Sequence, residues 1–105
     1  MFDFQYDLPY YAVIFTSKLD KSTSGYEEMV IRMEALAKQQ EGFLGIDSAR
    51  STIGITVSYW KSLESIKAWK SNLEHEKARK LGRERWYKEF HIRIAKVEKE
   101  YGFKK

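Results

Sequence analysis

A change of repeat inside residues 53–85 constrains this chain most. Ile53, Ile55, Val57 and Tyr59 recur at every second position, the period of a strand with one buried face, and then Leu63, Ile66, Trp69 and Leu73 recur at helical spacing. The switch falls at Ser62. Its hydroxyl suits a helix N-cap by accepting a bond from a free first-turn N–H, and Glu64 just inside suits the positive end of the helix dipole. A strand therefore feeds directly into a helix. The spacing predicts that helix over Ser62 to about Leu81, with a candidate break near Asn72, because Ser71 and Asn72 are poor interior helix formers. Gly82 then marks a stop or a bend.

The other elements fall around this pair. Residues 1–9 read as an N-terminal arm, since Pro9 lacks a donor N–H and disfavours a helical residue before it. Tyr10 to Ser17 is a strand with apolar residues on both faces. Ser24 and Glu27 have the spacing of a capping box, and they open a helix whose Tyr26, Met29, Val30, Met33, Leu36 and Ala37 share one stripe. Glu41-Gly42 ends it, with Gly42 able to take the left-handed conformation that helix exits favour. Phe43 to Ser51 and Ile53 to Trp60 are strands joined by a short turn, and Trp86 to Tyr101 reads as a long final strand.

Strand, helix, strand, strand, helix, strand is the α+β, ferredoxin-like βαββαβ plan, with both helices on one face of an antiparallel sheet. Two helices cover one side only. The first strand carries Tyr11, Val13 and Phe15 on one side and Tyr10, Ala12 and Ile14 on the other, so both faces require burial. A lone copy would expose more apolar surface than the roughly few hundred Å2 usual for soluble monomers, which predicts a homodimer packed sheet to sheet. Residues 10–105 are expected to form a single domain.

Composition narrows the functional classes. The 105 residues contain no cysteine, which excludes disulfides, thiolate metal sites and cysteine nucleophiles and fits a reducing cytoplasm. No run of about 18 apolar residues is present to span a bilayer, and the start of the chain is unlike a signal peptide, so neither membrane nor export is expected. Charge is uneven: residues 1–60 hold 5 basic and 8 acidic side chains, whereas residues 61–105 hold 14 and 7. The basic second half could draw an anionic ligand or nucleic acid, but its charges mostly alternate in sign, as on a solvated helix face.

Several segments together carry a resemblance. Glu41-Gly42-Phe43-Leu44-Gly45, Tyr59-Trp60-Lys61-Ser62-Leu63-Glu64, Trp69, Glu74-His75, Ala78-Arg79 and Gly82-Arg83 stand in order at the right distances. The chain thereby resembles the antibiotic biosynthesis monooxygenase domain family, nearest to an uncharacterised bacterial branch, from about Tyr10 to Phe103. The resemblance implies a dimeric α+β barrel, often with the last strand reaching across to the partner. It also implies a cavity between helices and sheet that takes flat aromatic or hydrophobic small molecules. Some members oxygenate phenolic substrates without metal or flavin, through a substrate carbanion that reduces dioxygen directly. Others bind and degrade haem.

On that basis Trp60, Tyr59, Trp86 and Arg83 are candidate substrate-binding residues, and His75, Trp69 and Asn72 candidate catalytic ones. Each has a plainer alternative. Trp69 lies on the helix stripe and suits a core position, Trp60 and Trp86 stand at element ends, and Tyr87 could share their wall. His75 can titrate near neutral pH or ligate iron, yet it follows Trp69 by six residues and needs a break at Asn72 to share its side. Asn72, Arg50, Arg79, Arg83 and Tyr59 are suitable polar types for stabilising a phenolate but lack an assignment from spacing.

The haem-degrading pattern is incomplete. It places an asparagine in the first strand, a tryptophan in the second helix and a histidine ten residues later; Trp69 matches, but Arg79 stands for the histidine and Ile14 or Phe15 for the asparagine. No cofactor is therefore expected, with haem the alternative. His75 and His91 lie sixteen apart without ordered carboxylates, so no metal site is expected, and no nucleotide-binding glycine motif occurs. RNA recognition motifs share this element order, but they stack bases on third-strand aromatics, and Ile53-Gly54-Ile55-Thr56-Val57 has none. A non-enzymatic small-ligand-binding dimer stays open beside the oxygenase reading.

Overall fold

The computed structural model describes residues 6–75 and 85–105. Its elements are β1 (Tyr10–Leu19), α1 (Tyr26–Lys38), β2 (Phe43–Arg50), β3 (Gly54–Trp60), α2 (Leu63–His75) and β4 (Tyr87–Val97). The strands form one antiparallel sheet in the order β2-β3-β1-β4, the ferredoxin-like arrangement that the period changes predict. α1 packs beside β2 and α2 beside β3.

Register assigns every strand residue to a face. Tyr11 pairs with Trp60, Val13 with Ser58, Phe15 with Thr56 and Ser17 with Gly54, and these rows continue through Phe43 to Arg50 on one flank and Phe90 to Ile94 on the other. Trp69 of α2 stacks on Trp60 and Tyr26 of α1 meets Tyr87, so this is the face the helices cover. Ala37 and Ile66 are the helix residues driven deepest, at 4% and 7% exposure.

Three local features set the helix positions. Ser62 caps α2 as its sequence predicts, its Oγ accepting from the Ser65 backbone N–H at 3.1 Å. Gly42 has φ of 86°, and a Cβ there would stand 2.1 Å from Ser65 Oγ. Only glycine lets the α1 exit lie this close to the first turn of α2, where Lys61 N–H also donates to the Gly42 carbonyl at 2.7 Å.

The capping box is corrected. Gly25, with φ of 84°, is the N-cap of α1 and no side chain caps it. The left-handed turn at Gly25 gives the local geometry that the Ser24–Glu27 exchange would have had to supply. The Ser24 carbonyl, which takes no part in such a box, accepts from Trp86 Nε1–H at 3.0 Å. Two further expectations change. α2 runs without a break through Asn72 to His75, and β4 ends at Val97, leaving Tyr101 and Phe103 almost fully exposed on the tail.

The opposite face combines rings and small apolar groups. Tyr6 precedes β1 and packs edge-on against Tyr10 with centroids 5.3 Å apart, while Tyr10 meets Tyr59 at 5.9 Å. The Tyr10 hydroxyl bonds a Glu100 carboxylate oxygen, and the Tyr59 hydroxyl donates to Asp47 Oδ2 at 2.9 Å. Beyond this knot, Ile14, Val57, Ile55, Ala49 and Ala95 share the sheet surface, with Ile55 47% exposed.

Candidate functional site

The helix-covered face carries two aromatic groups. At one end Phe43, Trp60 and Trp69 meet: Phe43 is edge-on to Trp60 at 5.3 Å, and Trp69 stacks on it at 5.8 Å and 27°. Trp60 is fully buried and its Nε1–H donates to Ser58 Oγ at 2.9 Å. Trp60 is thus satisfied as a core residue, with Trp69 half-buried above it.

The other end gathers side chains from four elements. Phe15 of β1 stacks on Phe90 of β4 at 5.5 Å and 23°, and Tyr87 stands edge-on to Phe15 at 5.3 Å. Tyr26, the first residue of α1, is perpendicular to Tyr87 at 5.7 Å and meets Trp86 at 5.9 Å. Polar atoms converge here as well. Arg50, the last residue of β2, donates through Nη2 to Ser17 Oγ and to the Tyr26 hydroxyl at 3.3 Å, and its Cζ lies 5.6 Å from the Tyr26 ring centroid. Tyr87 also donates to the Tyr26 hydroxyl, at 3.5 Å. Burial first, then the bond with Tyr26, pushes the Tyr87 phenol up, with Arg50 pulling the other way. Tyr87 is therefore a proton-bearing donor at neutral pH.

Gly54 makes this arrangement fit. It lies between Arg50 and Ser17 in the same row of the sheet, and a Cβ there would stand 2.1 Å from Arg50 Cζ. The missing side chain is the slot across which the guanidinium reaches. The Ser17 hydroxyl, in a residue 2% exposed, depends on that reach for its partner.

The residues singled out from sequence do not form one group. Trp60 and Trp69 come together, and half-buried Asn72 follows Trp69 by three residues on α2. Tyr59 is corrected to the opposite face, because adjacent strand residues point to opposite sides and Trp60 takes the helix side. Trp86 is a buried clamp, its ring bonded to Ser24 and its carbonyl accepting from Asp20 N–H at 2.7 Å. His75 is the last residue of an unbroken α2, so the break its catalytic role required is not formed; its side chain lies outside the described residues. Arg83, Arg79 and Gly82 also lie outside them. His91 is exposed on β4, paired with Thr16 on the face away from the helices.

Sequence spacing missed the Arg50, Ser17, Tyr26 and Tyr87 cluster. The hairpin turn at 51–53 does imply that Arg50 faces Gly54, but Ser17 and Tyr87 join them only through the β1 registers with β3 and β4.

The described residues do not fit the haem-degrading set. Where its first-strand asparagine should stand, β1 has Ile14, facing away from the helices, or Phe15, packed on Phe90, and neither offers an amide. Among the described residues no group of three or more His, Asp or Glu side chains could hold a metal ion. No helix among them is long and apolar enough to cross a membrane.

Comparison with solved structures places this fold. The chain superposes on a Nitrosomonas europaea protein classed with the antibiotic biosynthesis monooxygenases, with TM-score 0.72 and 15% identity over 87% of this chain and 93% of that one. A variant of SnoaB of Streptomyces nogalater, a cofactor-independent oxygenase, gives TM-score 0.73 and 9% identity over 87% and 95%. A variant of MhuD holding two manganese protoporphyrin IX molecules per active site gives 0.66 and 19% over 89% and 99%. These similarities define an antibiotic biosynthesis monooxygenase domain fold.

No family model matches the chain. It is 46% identical over 94 residues to the uncharacterized protein YqjZ of Bacillus subtilis, covering 88% of this chain and 82% of that protein. The chain belongs to the same family as YqjZ, a branch of the proteins with the antibiotic biosynthesis monooxygenase fold.

Proposed function

We propose that the protein is a cofactor-independent monooxygenase of a small aromatic or otherwise oxidisable metabolite, working as a homodimer. The observation that carries this reading is the aromatic wall of Phe15, Phe90, Tyr87 and Tyr26 on the helix-covered face, with hydroxyl donors set into it. A planar substrate laid on that wall gains ring contacts, and its acidic C–H can be oriented beside polar groups.

The chemistry balances between substrate and dioxygen alone. An activated methylene loses a proton, the resulting carbanion passes electrons to dioxygen, and a C–O bond forms as a peroxide. Loss of water leaves a carbonyl: one oxygen atom stays on carbon, the other departs in water, and the four electrons come from the substrate carbon. The protein's part is to favour the enolate that shares the carbanion charge. A donor set towards the developing oxyanion does this without reorganising during the step, and the Tyr26 hydroxyl, which accepts from Tyr87 and Arg50 and so keeps its own proton to give, is of that type.

The likeness to SnoaB supports the cofactor-independent reading, and Trp69 is the residue through which the haem reading persists. Oxygen uptake with anthrone as probe, in the presence of a metal chelator and without added flavin or haem, separates the alternatives. Catalysed uptake with formation of the quinone is expected. Absence of uptake together with a haem Soret shift would favour the haem branch, and binding of anthrone without turnover would favour a ligand-binding dimer.

A further inference from the structure

We infer that the Arg50 guanidinium is the anchor for a carboxylate on the ligand, so that the substrate class is an aromatic acid rather than a neutral ring. This deepens the proposed function and rests on its aromatic wall being a ligand site.

The charge state and the free donors around Arg50 point this way. Among the described residues no carboxylate is paired with Arg50: its partners are the Ser17 hydroxyl and carbonyl and the Tyr26 hydroxyl, so its charge is hydrogen-bonded but not neutralised. A guanidinium presents five donors, and the three bonds to Ser17 and Tyr26 leave others for an outside acceptor. The Tyr26 hydroxyl accepts from both Arg50 and Tyr87, which leaves its own proton for that same acceptor.

The guanidinium is also held in place. It crosses the Gly54 slot to lie against Tyr26, the ring perpendicular to Tyr87 in this wall, so a flat ring on the wall has the charge at its Tyr26 end. The donors left over are Nε–H and one Nη1–H, each able to give a single charge-assisted hydrogen bond to an anionic oxygen.

Calorimetric titration with naphthoate and its neutral isostere naphthamide tests this. The wild-type protein should prefer naphthoate by roughly tenfold or more, the worth of one charge-assisted hydrogen bond. Arg50→Gln should remove that preference by weakening naphthoate alone. Gly54→Ala keeps every charge but drives the guanidinium out of its slot, and should shift naphthoate in the same direction. Gly54 has an ordinary backbone conformation and the displaced atoms end a flexible side chain, so this variant should fold even if Arg50→Gln does not. Equal binding of both probes, unchanged in the variants, overturns the inference and leaves the oxygenase reading intact. Binding of neither probe overturns it too, and anthrone turnover then decides separately whether the wall is a site.

Discussion

Trp60 and Tyr59 are neighbours in sequence and have opposite physical roles. Trp60 is fully withdrawn from water, packed between Phe43 and Trp69, with its N–H satisfied by Ser58. Trp60→Ala should therefore lower unfolding free energy by about 3–5 kcal/mol in denaturant titration, since the cavity cannot collapse fully between two rings. Tyr59 is part of the tyrosine knot on the other face. Burial, then its bond to Asp47, pushes its phenol up to about 12. A raised folded-state value means the native chain holds the proton longer than the unfolded chain does. The stability it contributes is complete below about pH 10 and falls away as pH rises towards about 12. Tyr10, raised by burial and by Glu100, adds to the same slope. Unfolding titrations across that window should show declining stability, and Tyr59→Phe should flatten the decline.

At the scale of elements, the junction between α1, β2 and α2 depends on two small residues and one cap. Ser62→Ala should cost about 1 kcal/mol through loss of the N-cap bond. Gly42→Ala should cost about 1–2 kcal/mol from the left-handed backbone alone, with displacement of Ser65 added. Both changes act on Ser65, whose hydroxyl lies 2.9 Å from that of Ser62, so the double variant should depart from additivity in a thermodynamic cycle. This junction also shows which signals the sequence carries. The Ser62 cap was legible because nothing nearby competes for the first-turn N–H groups. The Ser24–Glu27 box was misleading because Gly25, one residue later, takes the cap position in a left-handed conformation, which moves Glu27 from the third helical position to the second. Period 2 and period 3.6 revealed all six elements. The face taken by Tyr59, and the meeting of Arg50 with Ser17 and Tyr26, depend on pairing between distant strands, which periodicity does not encode.

The whole molecule has one covered and one open sheet face. Ile55, Ile14, Val57, Ala49 and Ala95 lie on the open face, beside the tyrosine knot, and a second copy packed there would bury them. Sedimentation equilibrium at micromolar concentration should return twice the 12.5 kDa chain mass, and Ile55→Lys should shift the population towards single chains. On the helix-covered face, rings and hydroxyls gather at the end where β1, β2, β4 and α1 converge, and the proposed oxygenation belongs there. Turnover of anthrone under isotopically labelled dioxygen, followed by mass spectrometry, tests that proposal most directly. The expected product contains one labelled oxygen atom per molecule with no cofactor added, and it forms more slowly when Tyr26 is replaced by phenylalanine. An unlabelled product, or a rate equal to that of buffer alone, would contradict it.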